Sequence, residues 1–455
     1  MSPSDEPRRG PFPRLILAAA ASGSGKTTIA LGVVAALRNR GLTVGAAKTG
    51  PDFIDAAHLA RAAGSVTRNL DAWLAPPQTV RTAFVRASEA LDVTIVEGAM
   101  GLFDGRHGSG EGSSAHLARL LDAPVVLVLD CAHASTTIGA IALGLARFDP
   151  RVRVAGAILN RVASDAHAAT VRDACARAGV TVLGVVPRDE RLAIESRHLG
   201  LHGPHGDEWL ALRDAAAATI AAHVDLDALL AIARSAPPLE RAAAPKRDNA
   251  PRVRVAIPRD EAFWFYDEAS LDALRDAGAE LVAYDALAGS FPNDVGAAYV
   301  GGGYPELHAA ALAANRPARE GLRRALDAGM PAYAECGGLM YLGEALEVDG
   351  ATHAMVGAIA STATMLPRRS RLRYVEADAV ADGPMFRAGE RVRGHEFHYS
   401  QTRYAREAPA YRIGDEREGH LAPHLHASYV HVHLGGHAAA AERFVARAVA
   451  FRGRA

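Results

Sequence analysis

The sequence predicts two α/β domains, each built on a parallel sheet, from three features. Strand-length apolar runs alternate with helical stretches, first up to about residue 200 and again from about residue 254. A stretch rich in Pro, Ala and charge, SAPPLERAAAPKRDNAPR, separates the two series and has no periodicity. The chain has 455 residues, too many for one hydrophobic core. Together these give a first domain over residues 1–235, a linker over 236–251 and a second domain over 252–455.

In the first domain Arg14–Ala20, Thr43–Lys48, Val93–Glu97, Pro124–Asp130, Val154–Asn160 and Val182–Val186 read as strands. They are apolar almost throughout instead of alternating, as a parallel sheet covered on both faces requires. In the second, Arg254–Ile257, Glu280–Tyr284, Ala297–Val300 and Pro331–Ala334 repeat the pattern. Lys and Arg total 50 against 51 Asp and Glu, so no uncompensated positive surface is expected for nucleic acid or an anionic membrane. Three cysteines, Cys131, Cys175 and Cys336, make neither a disulfide framework nor a zinc site. The polar start MSPSDEPRRGPFPR has no apolar export segment, and the longest apolar runs are strand-length. A cytoplasmic protein working on small molecules is expected, with no membrane and no nucleic-acid partner; whether it is a homodimer is left open.

The first strand runs into AASGSGKTT (residues 20–28), a phosphate-binding loop in which Ala20 replaces the usual first glycine. Backbone N–H groups over Gly23, Ser24, Gly25, Lys26, Thr27 and Thr28 would cradle phosphates at the start of a helix. Lys26 would reach the β and γ oxygens, and the Thr27 hydroxyl would bind Mg²⁺. KTGPDFIDAAH (Lys48–His58) follows the second strand and presents Asp52 and Asp55; VEGAMGLFDG (Val96–Gly105) ends the third with Glu97 and places Asp104 in a glycine-bounded loop. Ligands in open parallel sheets bind beyond the carboxyl ends of the strands, where all four carboxylates fall. A carboxylate pair beside Thr27 would complete the oxygen shell of Mg²⁺, although an Asp here also serves as a helix cap. Asn160 ends AILNRV with an amide that suits the adenine edge, or simply forms a turn.

These residues carry a resemblance. GSGKTT, KTGPDFIDAAH, VEGAMGLFDG and ESRHLGL (Glu195–Leu201), in this order and spacing, resemble the cobyrinic acid a,c-diamide synthases, within the dethiobiotin-synthetase-like P-loop enzymes. The resemblance implies an N-terminal P-loop NTPase sheet that uses Mg²⁺ and ATP. It implies Thr27, Asp52 and Glu97 as holders of Mg·ATP, Asp55 and Asp104 facing the substrate carboxylate, and Asn160 at the adenine.

In the second domain YAECGGLMYLG (Tyr333–Gly343) places Cys336 at a tight turn between strand and helix, where small neighbours and a helix start favour a reactive thiol. Cys131 and Cys175 stand in apolar surroundings and read as inert core. YVGGGYPELHA (Tyr299–Ala309) gives a glycine loop whose N–H groups at Gly302 and Gly303, with that of Gly337, would form an oxyanion hole. SYVHVHLGGH (Ser428–His437) reads as a strand with His431 and His433 on one face. Either is a base for Cys336, with a slight preference for His433 beside the glycine exit and His398 as the fallback. The six histidines from His420 to His437 lack the cysteines and carboxylates of a metal site.

This half resembles the class I glutamine amidotransferase domain of cobyrinate and cobyric acid synthases, which implies a flavodoxin-like fold and a Cys–His pair that hydrolyses glutamine through a thioester. The commoner His-Pro-Glu ending is replaced by His433-Leu434-Gly435, so no third carboxylate is identified; Glu396 in RGHEFHYS is one residue that could orient a histidine. Joined, the two halves imply amidation of the a and c carboxylates of cobyrinate or hydrogenobyrinate in cobalamin biosynthesis, with glutamine as nitrogen donor. Cobyric acid synthase and nickel-sirohydrochlorin diamide synthase are the near alternatives. A partitioning ATPase is distant, because it carries a second lysine where Ala21 stands and has no glutaminase half.

Overall fold

The computed structural model of the chain describes residues 9–192, 196–197, 200–201, 206–241, 252–368 and 370–454. Glu195, His198 and Leu199 of ESRHLGL, and residues 242–251 of the linker, lie outside the described residues. The chain divides into two compact units, Met1–Ala243 and Ala244–Ala455. The first runs past residue 235, because Arg9–Gly10 pairs antiparallel with Leu239–Glu240. Among the described residues no helix is long and apolar enough to cross a membrane.

Seven parallel strands form the sheet of the first unit: β1 (Arg14–Ala19), β2 (Val44–Thr49), β3 (Arg68–Leu70), β4 (Val93–Glu97), β5 (Val125–Asp130), β6 (Val154–Val162) and β7 (Val182–Pro187). Their spatial order is β3-β2-β4-β1-β5-β6-β7. The six expected strands are present, and β3 joins them at the edge; its three residues, RNL, are too short and polar to show a pattern. β1 lies centrally, between β4 and β5, so the loop leaving it opens where strand order changes direction.

That loop leads into α1 (Lys26–Asn39), whose Ile29, Val33, Val34 and Leu37 pack with Leu15 and Leu17 of β1 in one core cluster. Each such side chain stabilises the unit by about 1.5–3 kcal/mol relative to exposure. Helix α2 (Phe53–Ala63) starts at Asp52, whose carboxylate accepts the N–H groups of Ile54 and Asp55, and it ends at Gly64 in the left-handed region.

The second unit has a six-stranded sheet of β8 (Val253–Pro258), β9 (Ala279–Tyr284), β10 (Ala297–Val300), β11 (Ala332–Glu335), β14 (His420–Ala422) and β15 (Leu425–Ser428). The order β9-β8-β10-β11-β15-β14, parallel except for the last pair, is the flavodoxin-like 2-1-3-4-5 arrangement with an antiparallel edge strand. Beyond residue 343 the chain also builds a four-stranded and a five-stranded sheet, which the sequence reading does not anticipate. The five-stranded one contains β12 (Arg371–Ala379), β13 (Arg391–His398) and the two-residue β16 (His431–Val432). SYVHVH is therefore not one strand. The chain leaves the parallel sheet at Ser428, whose hydroxyl takes the Val430 N–H, and joins β13 through His431 and Val432.

Candidate active sites

Around the phosphate loop the geometry starts at Gly25. Its φ of 85° turns the chain into α1, and a Cβ there would collide with the Asn160 amide. Asn160 is bound into the same wall: its Nδ2 donates to the Ser24 carbonyl at 3.0 Å, and its Oδ1 accepts the Arg161 N–H at 3.0 Å. The amide braces the loop. Arg161 adds to this by donating to the Gly23 carbonyl at 2.9 Å and to Asp130 at 2.7 Å. Lys26 Nζ donates to the carbonyls of Ala21 at 3.1 Å and Met100 at 2.7 Å. Burial, and then Lys48, lower its pKa. Thr28 Oγ1 reaches the Leu192 carbonyl at 3.4 Å.

Behind the loop lies a buried charge cluster. Thr27 Oγ1 donates to Oε1 of Glu97 at 2.6 Å, and Lys48 Nζ stands 2.7 Å from Asp55 Oδ2 and 3.0 Å from Glu97 Oε1. Burial opposes the Lys48 charge, yet Glu97 and Asp55 hold its pKa above the usual range. For Glu97 burial outweighs the Lys48 attraction, and with Asp55 close the carboxyl is pushed up to about 7. Glu97 Oε2 is buried with no hydrogen-bond partner. A hydroxyl beside a carboxylate with one unused oxygen is the donor set a hard divalent cation takes, so these residues fit Mg²⁺. Asp52 Oδ1 caps α2, at 2.9 Å from Ile54 N and 3.0 Å from Asp55 N. Asp104 is exposed, with Oδ2 accepting the Gly101 N–H at 2.9 Å. Lys48 is the residue that sequence reasoning passed over. It lies one residue before the end of an apolar strand, directly beside Glu97 in register, and that pairing of charges becomes visible only once strand order is known.

In the second unit Cys336 follows β11 at φ 50° and ψ −107°, before the short helix Gly337–Leu342. Its N–H donates to the Ser428 carbonyl at 2.7 Å, and its Sγ lies 3.8 Å from the Phe397 carbonyl. A Cβ at Gly302 would sit 2.6 Å from Cε1 of His431, so only glycine lets the loop after β10 lie against that ring. A Cβ at Gly337 would sit 3.2 Å from the Gly303 nitrogen, which brings the glycine loop to the cysteine turn. Of the two histidines it is His431 that hydrogen-bonds Cys336, and its Nδ1 lies 3.6 Å from Oε2 of Glu335. Burial works against an imidazolium there, but Cys336 and the Glu335 carboxylate beside the ring prevail and raise its pKa to about 10.

His433, the slightly preferred candidate, is placed differently. The strand stops at Val432, the chain turns into the short helix Leu434–Gly436, and His433 Nε2 faces Asp267 at 3.6 Å. Asp267 is the cap of α3 (Glu268–Asp276), which makes His433 part of that helix terminus. Among the described residues Glu396 faces Arg373, whose Nε donates to its Oε2 at 2.6 Å. His398 stacks on Tyr429 with 3.9 Å between centroids, and burial lowers it to about 4. Cys131 and Cys175 are buried, and burial pushes both thiols up, Cys131 to about 12. The carboxylate that does face His431, Glu335, escapes the sequence reading because it precedes the cysteine instead of following the histidine.

Residues 15–201 match the CobQ/CobB/MinD/ParA nucleotide binding domain, and residues 254–439 match the CobB/CobQ-like glutamine amidotransferase domain. The cobyrinate a,c-diamide synthase of Dehalococcoides mccartyi is 40% identical over 452 residues, spanning 95% of this chain and 98% of that one. That of Gloeobacter violaceus is 42% identical over 446 residues, spanning 97% and 98%. The hydrogenobyrinate a,c-diamide synthase of Mycobacterium tuberculosis is 40% identical over 448 residues, spanning 95% and 97%.

Proposed function

The chain belongs to the cobyrinate and hydrogenobyrinate a,c-diamide synthase family, and on that premise we propose that it converts the a and c carboxylates of a corrin-type macrocycle to amides. It is a glutamine-hydrolysing ligase with a nucleotide-binding half and an amidotransferase half. The observation that carries the reading is the presence in one chain of a phosphate loop backed by carboxylates and a thiol paired with an imidazole.

In the first unit the loop amides from Gly23 to Thr28 bind the phosphates of ATP, and Lys26 moves from its two carbonyls to the β and γ oxygens. Thr27 and Glu97, with Asp52, would hold Mg²⁺, which when bound supplies neutralisation of the phosphate charge. A substrate carboxylate oxygen attacks the γ-phosphorus, the bond to the β–γ bridging oxygen breaks, and ADP leaves an acyl phosphate. Lys48, Asp55 and Asp104 border this step. Ammonia then attacks the acyl carbon, loses a proton and expels inorganic phosphate.

In the second unit the Cys336 thiol gives its proton to His431, and the thiolate attacks the glutamine carboxamide. N–H groups of the glycine loop and Gly337 receive the oxyanion. The imidazolium protonates the departing ammonia, and water drawn by the neutral ring then cleaves the thioester to glutamate. Relatives bearing both names match at similar identity, so the test uses both macrocycles. Purified protein with ATP, Mg²⁺ and glutamine should add two amides to cobyrinate or hydrogenobyrinate, counted by mass spectrometry. Glutamine hydrolysis with no amide on either would overturn the assignment.

A further inference from the structure

We infer that Glu335 is the carboxylate that orients His431, so that the residue immediately before the nucleophile completes a Cys336–His431–Glu335 relay. The inference rests on the glutaminase reading of the second unit. Three donors converge on the Glu335 carboxylate: Oε1 accepts the Tyr333 hydroxyl at 2.8 Å and the Val432 N–H at 2.9 Å, and Oε2 accepts the Tyr299 hydroxyl at 2.8 Å. Burial, and then the Glu335 charge, push both phenols well above their usual range, so both keep the protons they donate. Glu335 itself is 2% exposed, and the remaining face of Oε2 looks at His431 Nδ1, 3.6 Å away.

A buried carboxylate fixed by three bonds has one position from which to act, and that position selects a tautomer. With the Nδ1 proton directed at Glu335, Nε2 is left as the acceptor for the thiol proton. The Val432 bond adds precision, because it ties the carboxylate to the residue next to the base. Around the ring stand Cys336, Glu335, His395 and His398. His395 stacks on His431 with 4.8 Å between centroids and 14° between planes, and burial keeps it well below the usual range. His395 closes the far face of the ring without competing for charge, which leaves Glu335 as the anion facing the imidazolium.

During turnover the thiol proton moves to Nε2, the imidazolium positive charge is balanced by Glu335, and Glu335 takes no proton. Glu335→Gln should lower glutaminase kcat by about 10²–10⁴-fold with KM changed little, as at other orienting carboxylates. It should also shift the pH dependence of Cys336 alkylation and abolish the downfield Nδ1–H proton resonance of His431. Glu335→Asp should recover part of the rate if the loss is one of orientation. Tyr299→Phe and Tyr333→Phe, which leave the carboxylate in place, should each cost less, and they keep the test open if Glu335→Gln does not fold. A folded Glu335→Gln with wild-type kcat and an unchanged alkylation profile overturns the inference; so do Tyr→Phe variants that leave both rate and resonance untouched when Glu335→Gln fails to fold. If Cys336→Ser retains glutamine hydrolysis, the glutaminase reading itself has failed, which is a separate result.

Discussion

The two sites differ in how complete they are before any ligand arrives. Around Cys336 each chemical group already has its partner: thiol to His431, His431 to Glu335, Glu335 to two phenols and a backbone N–H. Around the phosphate loop the charges balance only among themselves. Lys26 rests on two carbonyls, Lys48 neutralises Asp55 and Glu97, and one buried Glu97 oxygen has no partner. A neutral carboxamide brings no charge to organise a site, so its site has to be built in advance. A polyphosphate brings several charges of its own, and around the loop one Glu97 oxygen is still without a partner.

Removing the thiol should break the comparison most sharply. Cys336→Ser is expected to abolish glutamine-dependent amidation and leave ammonia-dependent amidation in place, because the activating chemistry belongs to the other unit. Loss of both in a folded variant would end the division of labour. Lys26→Ala or Glu97→Gln should remove synthesis with either nitrogen donor, measured as ADP release and amide formation together. Full ammonia-dependent turnover in either variant would withdraw its assigned role. His431→Ala should then cost glutaminase about 10²–10⁴-fold, the usual contribution of a general base. His433→Ala should cost far less and appear mainly as lost stability at the α3 terminus. Reversed magnitudes would return the base to His433.

Legibility follows the same division. The phosphate loop and the cysteine turn are readable because each is a local backbone demand: glycines at fixed places between a strand and a helix. The fold class is readable from the alternation of apolar runs and helices, and the two matched domains agree with it. What escapes reading depends on register. Lys48 meets Glu97 only because β2 lies beside β4, and Glu335 meets His431 only because the chain leaves β15, beside β11, and pairs with β13 through β16. The choice of His433 rested on a strand ending at it beside the glycine exit, and the strand ends one residue earlier. β3 has no apolar pattern at all.

The prepared thiol site also has a signature in pH. His431 has its pKa raised from 6.5 to about 10, so its protonated form is the one the fold stabilises. That contribution is whole below about pH 6.5 and disappears as the pH rises through about 10. The melting difference between wild type and His431→Gln should therefore shrink across this window. Cys336→Ala, which removes a partner of the imidazolium, should flatten the same curve. A difference that stays constant from pH 6.5 to 10 would mean that the ring is neutral throughout.

The smallest effect separates two roles of one carboxylate in the unfinished site. Asp52 caps α2 through Oδ1, and it is also proposed as a holder of Mg²⁺. Asparagine caps about as well as aspartate, whereas alanine at such a position costs about 1 kcal/mol. Asp52→Asn should thus melt close to wild type and Asp52→Ala clearly below it, whatever the metal does. Nucleotide titrations with and without Mg²⁺ then read the second role, because an amide oxygen carries no charge to offer the cation. If Asp52 serves both ends, Asp52→Asn loses Mg²⁺-dependent affinity at unchanged stability. Should both variants bind Mg·ATP as the wild type does, Asp52 is a helix cap alone, and Thr27 with Glu97 would be the protein's whole contribution to the cation.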